Sequence, residues 1–153
     1  MNTSQLSLAK LYETDFNLWL EKTIQLLKNQ QFQHLDLAHL IEELEGLGKR
    51  DKRELENRLT TLFEHALKRC FTDLTQDYRG WTDTIRRNQK ALKKLLADMP
   101  SLKNYFQQVQ DQCYQEALIL LRENPDYQKY DLPKQNPFPA DPDRLLNESF
   151  WER

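Results

Sequence analysis

The chain has 153 residues, 39% of them hydrophobic and 30% charged, with a net charge of −2 and only three glycines. That length closes a helical core without disulfides or a structural metal, while so few glycines argue against a turn-rich β fold and cannot furnish phosphate-binding or dinucleotide-binding loops. No stretch reaches the apolar length of a membrane span, and the start, Met1-Asn2-Thr3-Ser4-Gln5, lacks the basic and apolar regions of a signal peptide.

The expectation from this is one cytoplasmic domain over 1–153, free of membrane contact. Cys70 and Cys113 both fall in apolar-periodic stretches and read as reduced core thiols. The modest net charge hides a segregation. Residues 1–45 carry three basic and seven acidic side chains, residues 46–94 thirteen and seven, and residues 95–153 six and ten. A basic middle between acidic ends fits oppositely charged helices packed side by side, or a site for an anionic partner.

In chain order, Leu8, Tyr12, Phe16, Trp19, Leu20, Ile24 and Leu27 recur at spacings of three and four, which predicts one amphipathic helix from Leu8 to Leu27. Asp36 is a good N-cap for the next helix, with Leu35 placed to staple against Leu40. There Leu40, Leu44, Leu47, Leu55, Leu59, Leu62 and Ala66 keep one face across Gly46 and Gly48. A break would let that phase drift, so the pattern predicts one unbroken helix from about Leu37 to about Arg69, its second half the most buried part of the molecule. A third helix is expected from about Gly80 to Pro100 on Trp81, Ile85, Leu92, Leu95 and Leu96, and a fourth from about Ser101 to Asn124-Pro125. After that, prolines at 125, 133, 137, 139 and 142 alternate with Tyr127, Tyr130, Phe138, Phe150 and Trp151. Prolines rule out a long helix and aromatics argue against disorder, which leaves an extended strap with a short helix begun by Asp141 and Pro142. The expected architecture is thus all-α: an antiparallel bundle of about four main helices over 1–124, one of them long and central, and a C-terminal strap over 125–153.

Several motifs in these segments have the order and spacing of a known family. They are Tyr12-x-x-Asp15-Phe16-x-x-Trp19, Leu35-Asp36-x-x-x-Leu40-Ile41-Glu42-Glu43-Leu44-Glu45 with Gly48, and His65-x-x-Lys68. Further along come Trp81-x-x-Thr84-Ile85-Arg86, Pro100-Ser101-Leu102, Tyr114-x-x-Ala117 and Phe150-Trp151. On these residues the chain resembles, almost end to end, the bacterial family known as domain of unknown function twenty-nine, common in cyanobacteria and proteobacteria. It departs from the family in one place, with Asn136-Pro137-Phe138 where Cys-Pro-Tyr is common. The resemblance implies a helical fold and a bacterial source; it implies no reaction.

For chemistry, His39, Glu42, Glu43 and Gly46 share one side of the second helix, a geometry suited to half of a metal site. A di-iron bundle needs paired Glu-x-x-His motifs and further carboxylates, which His34, His39 and His65 do not provide, so no metal and no cofactor is expected. Neither a nucleophile elbow nor a locally activated cysteine is present. Arg86, Arg87, Lys90, Lys93 and Lys94 form a basic face on the third helix, as phosphate contacts require, yet no aromatics are interleaved for base stacking. Asp15 and His65 lie beside apolar stripes and should be at least partly buried; with Glu42, Glu43 and Arg86 they form a candidate polar cleft. The first reading is a non-catalytic helical interaction or regulatory module whose partner is a protein, a second copy of the chain among the options. A nucleic-acid binder using the basic face is the alternative, and an enzyme or metal protein centred on His65 and Glu42/Glu43 the second alternative.

Overall fold

Asp15 splits what periodicity reads as one helix. In the computed structural model, which describes residues 3–152, α1 runs Thr3–Thr14 and α2 Phe16–Lys28, followed by α3 Leu37–Phe71, α4 Tyr78–Asp98, α5 Leu102–Glu123 and α6 Pro142–Asn147. Short 3-10 turns lie at Phe32–His34, Thr75–Asp77 and Pro125–Tyr127, and there is no strand among the described residues. At Asp15 the backbone leaves the helical region (φ −153°, ψ 82°) and the carboxylate accepts the Leu18 N–H at 3.2 Å, an N-cap that starts α2 afresh. The apolar phase survives because the turn brings Tyr12 edge-on to Phe16 and Trp19, at 5.7 and 5.0 Å between ring centroids. Among the described residues five longer helices therefore replace the expected four main ones, beside the expected short helix, α6.

Helix α3 runs unbroken for 35 residues through both glycines, as its pattern predicts. Chain contacts nevertheless divide into two compact units, Met1–Arg50 and Asp51–Arg153, with the boundary inside α3. In the first unit Leu8, Trp19 and Leu35 are buried together with the polar Thr23 and Asp36. The C-terminus of α2 closes with Gln30 in the left-handed region (φ 56°), where the Gln31 N–H reaches the Leu26 carbonyl and the Gln30 N–H that of Leu27. This paired bonding usually has glycine at the left-handed position.

The second unit holds the main core. Leu55, Leu59, Leu62, Phe63 and Ala66 of α3 lose all solvent exposure among Ile85 and Leu92 of α4, Phe106, Tyr114 and Ala117 of α5, and the strap's Leu145 and Trp151. Burying a leucine side chain contributes roughly 1.5–3 kcal/mol, so this cluster dominates the stability of the unit. The strap is fastened by side chains reaching its backbone. Gln89 donates to the carbonyls of Leu145 and Glu148 at 2.9 and 3.1 Å, Gln110 donates to Pro139 O at 3.0 Å, and the Tyr114 hydroxyl donates to Pro133 O. Asp141 caps α6 and Pro142 begins it, as the sequence predicts.

Candidate functional site

Four motif residues of the first unit, Tyr12, Trp19, Asp36 and Glu43, meet with His39 in one polar clasp. The Tyr12 hydroxyl donates to Glu43, and the Tyr12 ring stacks on His39 at 4.0 Å between centroids. His39 Nδ1 lies 2.6 Å from an Asp36 carboxylate oxygen that also accepts the indole N–H of Trp19 at 3.1 Å. Asp36 is only 5% exposed, a burial made tolerable by these two partners. Its carboxylate thus joins α2 to α3. The Glu43 carboxylate, with burial adding to it, pushes the Tyr12 phenol up to about 12, so the hydroxyl stays a donor. Among the described residues no three His, Cys, Asp or Glu side chains are grouped to hold a metal ion.

The expected polar cleft distributes differently. Asp15, expected to be partly buried, is exposed because its carboxylate serves the α2 N-terminus; Glu42 is exposed too, and Glu43 belongs to the clasp. His65 is half-buried, and its ring Nδ1 lies 2.9 Å from Thr61 O one turn back. Burial lowers its pKa, with Lys68 acting in the same direction, which favours the neutral ring donating to that carbonyl. Arg86 sits over the Trp151 ring at 5.7 Å and 3.9 Å from Glu152. Other motif residues of the second unit likewise hold the strap: Lys68 pairs with Glu64 at 3.5 Å and lies over Trp81 and Tyr127. At the departure from the family pattern, Asn136 accepts the Phe138 N–H at 2.9 Å, and Phe138 stacks on Phe63 in the core. Arg86, Arg87, Lys90, Lys93 and Lys94 are all exposed.

Of twelve large hydrophobic residues exposed among those described, ten lie at or before position 47, and eight of these form two stripes on α2 and α3. On α2, Phe16, Leu20, Ile24 and Leu27 are each 40% exposed or more. On α3, Leu37, Ile41, Leu44 and Leu47 are each at least 50% exposed. By helical phase this α3 stripe is the same one that carries the fully buried Leu55, Leu59 and Leu62. Its second half is covered and its first half bare. On α3 the stripe lies opposite His39, which α1 holds through Tyr12; on α2 it lies across the buried Trp19 and Thr23 from Leu18 and Lys22. The α3 stripe therefore faces away from α1, and of the α2 stripe only Phe16, at the first turn, meets α1 through Tyr12.

An all-helical protein with a motif-built clasp and an uncovered apolar face is the class that this geometry defines. The family model described as domain of unknown function DUF29 matches residues 11–151, and the chain belongs to that family. No curated protein and no solved structure matches the sequence. No described helix is long and apolar enough to cross a membrane.

Proposed function

We propose that this chain is a non-catalytic helical interaction module whose first unit docks, through the apolar stripes of α2 and α3, onto a second copy of itself. The observation that carries the reading is the exposure of Leu37, Ile41, Leu44 and Leu47 on a stripe that α3 keeps fully buried farther along. The α3 stripe residues expose roughly 400 Å2 and the α2 stripe residues roughly 300 Å2 of largely apolar surface, together close to the ~800 Å2 that each partner of a standard interface contributes.

A second copy suits this face because the α3 spacing matches itself. Leu37, Leu40, Leu44 and Leu47 follow a three-four-three repeat, and in antiparallel pairing Leu37 of one copy opposes Leu47 of the other, with Leu40 opposing Leu44. The clasp holds Trp19 of α2 against Asp36 at the start of α3, so little order must be gained on docking. Glu42, Lys49 and Arg50 fall off this face, while Glu45 borders it beside Ile41 and Asp51 follows it one turn after Leu47.

The test is mass in solution by light scattering and sedimentation. The wild type should have twice the 18.4 kDa of the chain, and Leu44→Glu should be monomeric with unchanged helical content, since a buried unpaired carboxylate in each copy costs several kcal/mol. A wild type that is monomeric at roughly 100 µM, where interfaces of this size are normally populated, overturns the reading. Binding of duplex DNA or RNA at physiological salt that is lost on reversing Arg87, Lys90 and Lys94 to glutamate would put the nucleic-acid reading in its place.

A further inference from the structure

Helix α3 repeats its own stripe. Leu37, Ile41, Leu44 and Gly48 recur eighteen residues later as Leu55, Leu59, Leu62 and Ala66, an interval of about five turns that returns each to the same helical phase. The second set has lost all solvent exposure in the core formed with α4, α5 and the strap, whereas Leu37, Ile41 and Leu44 of the first are each more than half exposed. Gly48 lies within that bare stripe, one turn after Leu44. Glycine inside a helix weakens it relative to alanine, and the chain itself does not require one here: its φ is not positive, and an added Cβ meets no described atom within 4 Å. A Cβ at Gly46 also meets nothing, but Gly46 stands on the side of α3 that carries His39, away from the stripe. On the covered half the same phase is held by Ala66, so a methyl group fits there beneath closely packed elements.

We infer that Gly48 is the point of closest approach on the self-docking face, a notch that seats the partner's Leu37 and so fixes the antiparallel register. The inference rests on the reading of α2 and α3 as a self-docking surface and adds what aligns the two copies. With Leu37 of one copy opposite Leu47 of the other, the leucine side chain is set among Leu44, Leu47 and Gly48, where the missing Cβ lets it reach the helix backbone. Twofold symmetry makes the contact twice, once at each end of the paired segment. Sliding one turn onward sets the partner's Leu37 against the Asp51 carboxylate and takes that charge out of water; sliding one turn back sets it against Leu44 and leaves the notch empty. Only the register between them fills the notch.

The experiment is sedimentation equilibrium of the full chain as wild type, Gly48→Leu and Lys49→Leu, the last adding the same side chain at an exposed position off the face. Gly48→Leu should raise the dimer dissociation constant at least about tenfold by holding the two helices apart, while Lys49→Leu should stay within about threefold of wild type. Folding is read separately in the monomeric Leu44→Glu background, where the added leucine starts from open space and helical content should be unchanged. A second measurement needs no substitution at the glycine: in wild-type dimers mixed from isotope-labelled and unlabelled chains, NMR should show intermolecular NOEs between the Leu37 methyl groups and the Gly48 Hα protons. A dimeric wild type that lacks these NOEs, or Gly48→Leu dimers as tight as those of wild type, overturns the notch and leaves the self-docking reading standing. A monomeric wild type overturns both.

Discussion

Gln89 offers the sharpest test of how the strap is held. It is 7% exposed and donates to two carbonyls, those of Leu145 and Glu148, which lie where α6 ends and where backbone acceptors lack helical partners. Replacing it by leucine keeps most of its volume but removes both donors. Two lost hydrogen bonds at about 1 kcal/mol each, together with desolvation of the acceptors left behind, amount to about 2–4 kcal/mol. In urea that corresponds to a midpoint lower by roughly 1–2 M. Fluorescence is a suitable readout, since Trp151 lies in the strap and Trp81 on α4, both in the second unit. Gln115→Leu is the matched control: its bond to Lys134 O at 2.9 Å is exposed, so it should change stability by less than about 0.5 kcal/mol. If Gln89→Leu is as stable as the control, the two Gln89 bonds do not hold the strap, and that part of the account of polar fastening is wrong.

Two further outcomes follow from local geometry. An added Cβ at Gly48 meets nothing within 4 Å in the interior of α3, so Gly48→Ala should stabilise by about 0.5–1 kcal/mol in thermal or urea unfolding; a loss of stability would mean the helix needs glycine there. Burial holds the His65 pKa below its ordinary 6.5, so the unfolded chain binds the extra proton more readily. Stability from this residue is thus complete above about pH 6.5 and declines as pH falls below it, and His65→Gln should flatten that part of the profile; an unchanged slope would refute it.

The helical class, the uninterrupted α3, the ends of α4 and α5 and the capped α6 were legible in the sequence, because each depends on local chemistry: apolar phase, proline, or an aspartate beside a helix start. The family was legible for a related reason, since its motifs are spaced side chains that survive as text. The break at Asp15 was not. Periodicity is blind to a one-residue turn that preserves phase, and Asp15 alone could have signalled it, as it is an N-cap type ahead of an apolar run. The burial of Asp15 was misjudged on the same ground, because its position beside an apolar stripe is occupied by a capping residue that water also reaches. Tertiary structure alone decided which leucines of one α3 stripe are covered. Leu44 and Leu62 share a helical phase, but only where α4, α5 and the strap lie against the helix does that phase become core. It also decided that Asp36, His39, Trp19, Tyr12 and Glu43 form one clasp, and that Gln89 and Gln110 hold the strap. Hydrogen bonds between residues far apart in the chain leave no periodic trace, because their partners are chosen by packing rather than by spacing.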